Sequence, residues 1–251
     1  MKTEKKKKIR IDSFLVEKGL VPTRQKAQAL IMAGKVMSGS VIIDKPGKEV
    51  DPEAVITVKE SLPFVGRGGV KLAGFLDETG IDASGLVAMD VGASTGGFTD
   101  CLLKRGALRV YAVDVGKGLI DVSLRGDPRV RLLEEKNIRH LEPSEIGEAV
   151  DLVVIDVSFI SLEKVLPKVR EFVKEGGLVL ALIKPQFEVG KGQVGKGGIV
   201  RDPEQHRAVV ERIGQFSEGL GFTVRSTGTS PILGAKGNRE FWICLVNHLK
   251  D

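Results

Sequence analysis

Cysteine, histidine and aromatic side chains are scarce in this chain of 251 residues, and each scarcity closes a class of function. The two cysteines, Cys101 and Cys244, lie far apart and form no C-x-x-C pair. A disulfide scaffold and a thiolate metal site are therefore not expected, and both thiols read as free, buried groups of a reducing cytosol. His140, His206 and His248 are scattered with no H-E-x-x-H pattern, so no metal site is expected. Ser158 and Ser161 sit in no G-x-S-x-G elbow, which argues against a serine hydrolase. Trp242, the single tryptophan, reads as core. Long apolar runs are also missing. Stretches such as Leu178 to Ile183 fall far short of the ~20 residues of a membrane span. The opening MKTEKKKKIR has no apolar segment behind it, so no secretory signal is expected and the protein is placed in the cytoplasm.

What is present is an ordinary globular composition, 42% apolar and 28% charged, with 38 Lys+Arg against 33 Asp+Glu and a net charge of +5. The excess is local. Residues 1–60 hold 13 basic and 8 acidic side chains, whereas residues 61–251 balance. A basic module on a neutral body predicts a polyanionic partner, nucleic acid or an anionic surface.

Two rhythms divide the chain. In residues 1–60, Ile11, Leu15, Leu20 and then Ala27, Leu30, Ile31 predict two short amphipathic helices. Thr23 can cap the second and Gly34 ends it; short strands follow around Val36–Ile43 and Val55–Val58. Residues 61–69 read as a linker, with Gly66-Arg-Gly-Gly69 as a pliable joint and a helix from Val70. In residues 70–251, apolar strands alternate with helices. Strands are expected at Leu86–Val91, Arg109–Asp114, Arg129–Leu133, Leu152–Val157, Leu178–Ile183, Thr223–Thr229 and Glu240–Val246. Helices are expected at Gly97–Arg105, Leu162–Val173 and Pro203–Leu220. This is an α/β pattern: a Rossmann-like, mostly parallel sheet covered on both faces, closed by an antiparallel edge hairpin, behind a small α+β domain.

The segment Met89-Asp-Val-Gly-Ala-Ser-Thr-Gly-Gly-Phe-Thr-Asp100 leaves a strand and opens a helix. Its glycines let a ligand approach backbone N–H groups. It is neither G-x-G-x-x-G nor a Walker loop, so a ligand without phosphates, such as S-adenosylmethionine, is expected. Asp90, Gly92, Ser94, Gly96, Gly97 and Phe98 are the candidate contacts. Asp114, at the end of the next strand, can accept from two ribose hydroxyls, and Asn137 can face an adenine. Four further polar residues stand against their surroundings: Lys71 at a helix start, Asp156 and Lys184 each closing an apolar strand, and Glu240 opening the last strand. Ligands of open parallel sheets sit at the carboxyl ends of strands, where Asp156 and Lys184 fall. Such a cluster suits methyl transfer to a hydroxyl, which needs a general base. A lysine acts as one only when neutral, against an ordinary value of about 10.4. Lys184 is the expected base, Lys71 the holder of the ribose oxygen, Asp156 the positioner of Lys184 and Glu240 the partner of the lysines; the two lysines can exchange roles.

Taken together, DVGASTGGFTD, DLVVIDVSFISL, LIKPQFEVGKGQVGKGGIVRDP and GNREFWICL resemble the hemolysin A (TlyA) family of ribosomal RNA 2′-O-methyltransferases, from about Lys8 to Leu249. The resemblance implies an FtsJ-type methyltransferase fold whose Lys-Asp-Lys-Glu tetrad corresponds to Lys71, Asp156, Lys184 and Glu240. It also implies an N-terminal RNA-binding domain like that of ribosomal protein S-four. That domain's signature is similar to Thr23-Arg-Gln-Lys-Ala27 with Ala33-Gly-Lys-Val36, which puts Arg24, Lys26 and Lys35 on an RNA face, with Arg67 beyond it. The implied reaction is methylation by S-adenosylmethionine of a cytidine ribose in ribosomal RNA, of the large subunit and in some members also of the small. Leu62-Pro-Phe-Val65 lacks the Arg and Trp of mycobacterial members, and the chain ends just after the last strand; both favour the large subunit alone. Three other readings compete: a membrane-active hemolysin, an RNA-binding regulator with a degenerate enzyme domain, and a base or small-molecule methyltransferase. Against the last, Asp156-Val-Ser-Phe159 stands where base methylases commonly carry an Asn/Asp-Pro-Pro-aromatic strand end.

Overall fold

A computed structural model of the chain describes residues 8–21, 23–32, 34–58, 63–190 and 192–248, with the side chains of Lys26 and Ala29 outside the description. The lysines at 5 to 7 also lie outside it. The chain divides into two compact units, Met1–Leu62 and Pro63–Asp251.

The smaller unit runs β1 (Ile9–Arg10), α1 (Ile11–Glu17), α2 (Arg24–Met32), β2 (Val36–Ser38), β3 (Val41–Ile43), β4 (Glu49–Val50) and β5 (Ile56–Val58). Strand β2 lies between β3 and β5, antiparallel to both, and β1 pairs with β4. Gly34, at φ +66, ends α2: its N–H reaches Ile31 O and that of Lys35 reaches Leu30 O. The core is Ile11, Phe14, Leu15, Ala27, Leu30, Ile31, Val36 and Ile43 with their neighbours. The spacing of these residues on α1 and α2 puts one apolar stripe of each helix against the strands. One charged group is buried with them. Asp12 accepts from Arg10 (3.0 and 3.1 Å), Arg24 Nε (3.0 Å), Gln28 Nε2 (3.0 Å) and the Ser13 N–H (2.9 Å). Those donors, Arg10 foremost, hold its carboxyl well below the usual carboxylate range.

The larger unit opens with α3 (Arg67–Thr79). It continues β6 (Val87–Val91), α4 (Gly97–Lys104), β7 (Arg109–Val113), α5 (Val122–Arg125), β8 (Val130–Leu133), α6 (Pro143–Ile146), β9 (Val150–Ile155), α7 (Leu166–Val169), β10 (Val173–Ile183), α8 (Pro185–Glu188), α9 (Pro203–Gly219), β11 (Phe222–Thr229) and β12 (Phe241–Asn247). The seven strands stand in the order β11-β12-β10-β9-β6-β7-β8. Only β12 runs opposite to the other six strands, so the closing hairpin inserts its second strand between β10 and the edge. Strand order reverses between β6 and β9, and the crevice at such a switch point is where ligands of open α/β sheets bind.

Alternate residues of each central strand feed two cores. Val87, Met89, Val91, Val153 and Ile155 pack towards α7 and α9, and Ala88, Val110, Leu152, Val154, Leu180 and Trp242 towards α3 and α4. Both faces are apolar because helices cover both. Trp242 lies between Phe75, stacked at 5.1 Å, and Phe98 at 5.5 Å. Cys101 and Cys244 are both free and buried, and burial pushes the Cys101 thiol up to about 11.

Two expectations change here. The helix expected from Val70 starts at Arg67, so most of the supposed joint is its first turn, with Gly66 extended as N-cap. The glycines serve close packing: a Cβ on Gly69 would overlap the Phe64 ring, and one on Gly97 would lie 2.9 Å from Gly69 N. The expected helix over Leu162–Val173 is instead two 3-10 turns around the short α7, and Val173 already begins β10. Pro167 sits inside this stretch and has no N–H to continue a helical ladder.

Candidate active site

A cleft of 440 Å³ opens at the carboxyl ends of β6, β7 and β9, lined by Gly92, Ser94, Asp114, Asn137, Asp156 and Phe159 among others. Gly92 brings the β6 loop onto the end of β9: at φ +87, a Cβ there would come within 2.6 Å of Asp156 O. Asp114 is pinned from both sides, accepting from Ser94 N–H (2.8 Å) and Gly116 N–H (2.7 Å). Its remaining lone pairs suit vicinal ribose hydroxyls. Asn137 lines the cleft while its Oδ1 caps a 3-10 turn through the Arg139 N–H at 3.1 Å.

Asp90 lies buried beneath the loop. Thr99 donates to its Oδ2 twice, from N–H (2.9 Å) and Oγ1 (2.7 Å), and Oδ1 has no hydrogen-bond partner. Burial, reinforced by Asp156 and Asp114, pushes its carboxyl up to about 7 against the Thr99 bonds. Asp90 lies behind the cleft wall rather than on it; the glycine turn it underlies, with the pinned Asp114 acceptor in the cleft, fits an aminoacyl nucleoside such as S-adenosylmethionine. Gly96, Gly97 and Phe98 do not line the cleft. A Cβ on Gly96 would overlap Leu124, Gly97 meets α3, and Phe98 packs on Trp242; these three shape the helix behind the loop.

The four polar residues picked from their surroundings meet at the edge of this cleft. Lys71 Nζ donates to Glu240 Oε2 at 2.6 Å and stands 3.9 Å from Asp156 Oδ2. Lys184 Nζ stands 2.6 Å from Asp156 Oδ1, an ion pair outside hydrogen-bond alignment, and directs its bond to Ser158 Oγ at 2.9 Å. The charges therefore alternate along a chain: Glu240, Lys71, Asp156, Lys184. Glu240 is buried and both lysines nearly so, while Asp156 faces the cleft. In a medium of low effective dielectric these couplings are strong enough to hold all four side chains in one arrangement.

Three features beside the tetrad had no sequence signal of their own. Ser158 links Lys184 to the cleft wall. Phe159 is 90% exposed at φ +63, a region a phenylalanine rarely adopts, and its ring lies 4.9 Å from that of Phe187. An aromatic face presented at a cleft mouth can stack a nucleobase. Glu188, buried, accepts from Ser161 Oγ (2.7 Å) and the Leu162 N–H (2.8 Å), tying the loop after Asp156 to the turn after Lys184; burial raises its carboxyl. The alternation of apolar residues gave no hint of it, because Glu188 follows a strand end where charges are common. In the smaller unit, Arg24 is tethered to Asp12 with its side chain half-exposed, and Lys35 is exposed. The Lys26 side chain lies outside the described residues. Arg67 is exposed and donates to Leu233 O at 2.5 Å.

Among the described residues no helix is long and apolar enough to cross a membrane, and no cluster of His, Cys, Asp or Glu is placed to hold a metal ion. Residues 64–247 match the FtsJ-like methyltransferase family and residues 9–56 the S4 domain. The chain is 44% identical over 241 residues to the 16S/23S rRNA (cytidine-2′-O)-methyltransferase TlyA of Mycobacterium tuberculosis, covering 95% of this chain and 90% of that one. It is 32% identical over 258 residues to the 23S rRNA (cytidine-2′-O)-methyltransferase TlyA of Campylobacter jejuni, covering 94% and 98%. A solved structure from Streptococcus thermophilus, described as a hemolysin, superimposes with a TM-score of 0.75 at 41% identity over 96% of this chain and 89% of its own.

Proposed function

The chain belongs to the FtsJ-like methyltransferase family, with an S4 domain ahead of the enzyme, and from that premise we propose that it methylates the ribose 2′-hydroxyl of a cytidine in large-subunit ribosomal RNA, in the cytoplasm. The observation that carries the reading is the chain Glu240–Lys71–Asp156–Lys184 at the edge of a cleft whose polar groups fit S-adenosylmethionine. We read the unit Met1–Leu62 as the RNA-binding domain and the unit Pro63–Asp251, which includes α3, as the catalytic domain.

S-adenosylmethionine is the methyl donor and supplies an electrophilic methyl carbon. Asp114 would hold its ribose, Asn137 its base, and Asp90 its amino end by way of the Gly92–Ser94 turn. Lys184 enters the step neutral, takes the proton of the 2′-hydroxyl at Nζ, and becomes the ammonium that Asp156 pairs. It is the better placed of the two lysines, since Ser158 connects it to the cleft wall whereas Lys71 is held on Glu240. Lys71 donates to the 2′-oxygen and keeps it facing the cleft. Asp156 positions Lys184 and balances both cations; Glu240 fixes Lys71. General-base help of this kind is worth about 10²–10⁴ in rate. Cytidine and ribosomal RNA are the substrates named for the Mycobacterium and Campylobacter relatives, and the Campylobacter name carries the large subunit alone. The intact tetrad speaks against a degenerate enzyme domain.

The test is methyl transfer from labelled S-adenosylmethionine to separated ribosomal subunits from a strain lacking the enzyme, with Lys184→Ala beside the wild type. Label in 2′-O-methylcytidine of the large subunit, lost in the variant, is expected. Label in a base, or none in either subunit despite donor binding, would refute the reading.

A further inference from the structure

The larger unit carries no net charge by sequence, yet its charges are not evenly spread. Apart from Arg239, which lines a separate groove against α9, loops 192–202 and 230–240 hold Lys196, Arg201 and Lys236, and α3 brings Arg67 alongside Leu233 of the second loop. All four side chains are exposed, and none pairs with a carboxylate among the described residues. The two carboxylates on these loops are engaged elsewhere. Asp202 accepts the Glu204 N–H to cap α9, and Glu240 holds Lys71.

These loops are built together rather than merely adjacent. Asn238, buried, accepts the Val200 N–H at Oδ1 (3.1 Å) and donates from Nδ2 to Gly198 O (2.9 Å) and Ala235 O (3.1 Å). It thereby staples the loop of Lys196 and Arg201 to the loop of Lys236. Lys236 Nζ lies 3.7 Å from where a Cβ of Gly198 would stand. The stapled pair adjoins the tetrad: a Cβ on Gly234 would overlap the Glu240 carboxylate, and Arg67 precedes Lys71 by one helical turn. Lys236 itself holds φ +57, a left-handed conformation in which glycine or asparagine would rest more easily. A lysine kept at such a position, unpaired, over a neighbouring loop, points to an anion.

We propose that Arg67, Lys196, Arg201 and Lys236 form a phosphate-binding ridge on the catalytic unit, which takes the RNA backbone flanking the target ribose, with Asn238 as its positioning residue. The proposal rests on the reading of the protein as an RNA methyltransferase and adds to it a second grip on RNA beyond the S4 domain. The ridge supplies affinity and register without sequence preference, since phosphate contacts carry no base information. Its position beside Glu240 lets the backbone be held while the ribose turns towards Lys184.

The experiment uses the full chain and total bacterial ribosomal RNA, with binding measured across a salt series and methyl transfer measured in parallel. Each lysine lost from a phosphate contact should flatten the slope of log K against log salt by about 0.7–0.9. Lys196→Gln and Lys236→Gln should each raise the RNA KM roughly 3- to 10-fold at moderate salt. At saturating RNA, kcat and donor affinity should stay at the wild-type level. Lys236→Gly separates the charge from the turn: relief of the backbone should leave the melting temperature equal or higher, while RNA affinity drops as in Lys236→Gln. Asn238→Ala should lower RNA affinity more than either single lysine change. Unchanged salt slopes in both lysine variants would overturn the ridge. So would a fall in kcat with RNA binding intact, or a loss of binding to anionic phospholipid vesicles in place of RNA. If the wild type binds RNA but methylates none, the enzyme reading fails, and the slopes still decide the ridge.

Discussion

Asp90→Asn sets the demand for a buried carboxylate against the stability of the fold. The Asp90 carboxyl is pushed from its ordinary 3.8 to about 7, burial being the largest cause. The folded chain therefore keeps a proton between pH 4 and 7 that the unfolded chain has released. In that window the native state binds more protons, so unfolding free energy falls as pH rises. A shift of about three units at 1.36 kcal/mol each gives a loss of about 4 kcal/mol between pH 4 and pH 8. Asparagine fits the same site. Its Oδ1 can accept both Thr99 bonds, and its Nδ2 replaces an oxygen that has no partner in any case. The variant should lack the slope and be the more stable protein at pH 8. Urea unfolding of both proteins at half-unit pH steps reads this directly. Other carboxylates add slopes of their own, Asp12 in the opposite sense, but these are common to the two proteins and cancel in the difference. Stability curves that run parallel within about 1 kcal/mol from pH 4 to 8 would show that Asp90 is not held protonated by burial and would refute the reasoning.

Asp156→Asn removes the anion between the two lysines. A charge pair near 4 Å at an effective dielectric of 20 is worth about 4 kcal/mol, so single-turnover methyl transfer should slow by roughly 10²–10³ with donor affinity little changed; a loss below threefold would remove Asp156 from the catalytic chain. Asp114→Ala should weaken S-adenosylmethionine roughly 10- to 100-fold by calorimetry, from lost charged hydrogen bonds of about 1.5–3 kcal/mol, and spare kcat at saturating donor. Asp12→Ala should destabilise the smaller unit by about 1–3 kcal/mol in thermal melts, since the guanidiniums it holds are half in solvent. Because the Asp12 carboxyl is lowered in the fold, that contribution should be present above the ordinary aspartate value and vanish as pH falls below it. Phe159→Ala should raise the RNA KM by the loss of a stack worth about 1–3 kcal/mol per base, with melting unchanged because the ring is exposed.

The sequence by itself determined the class of fold, because runs such as Leu152–Ile155 and Leu178–Ile183 are apolar on both faces and only a covered parallel sheet tolerates that. It also singled out Asp156 and Lys184, since a charge closing an apolar strand is visible without coordinates, and Lys71 and Glu240 as charges opening a helix and a strand. Local rules faltered where distant segments meet. Gly66–Gly69 reads as a flexible joint until Phe64 and Gly97 are seen packed against it, and Phe98 reads as a ligand contact until Trp242 covers it. The order of partners along the tetrad, the Glu188 tie and the Asn238 staple depend on residues brought together across 26 to 169 positions of chain. Periodicity reports which face a residue takes, whereas pairing depends on strand order and on how closely two backbones approach, and only the tertiary structure decides those.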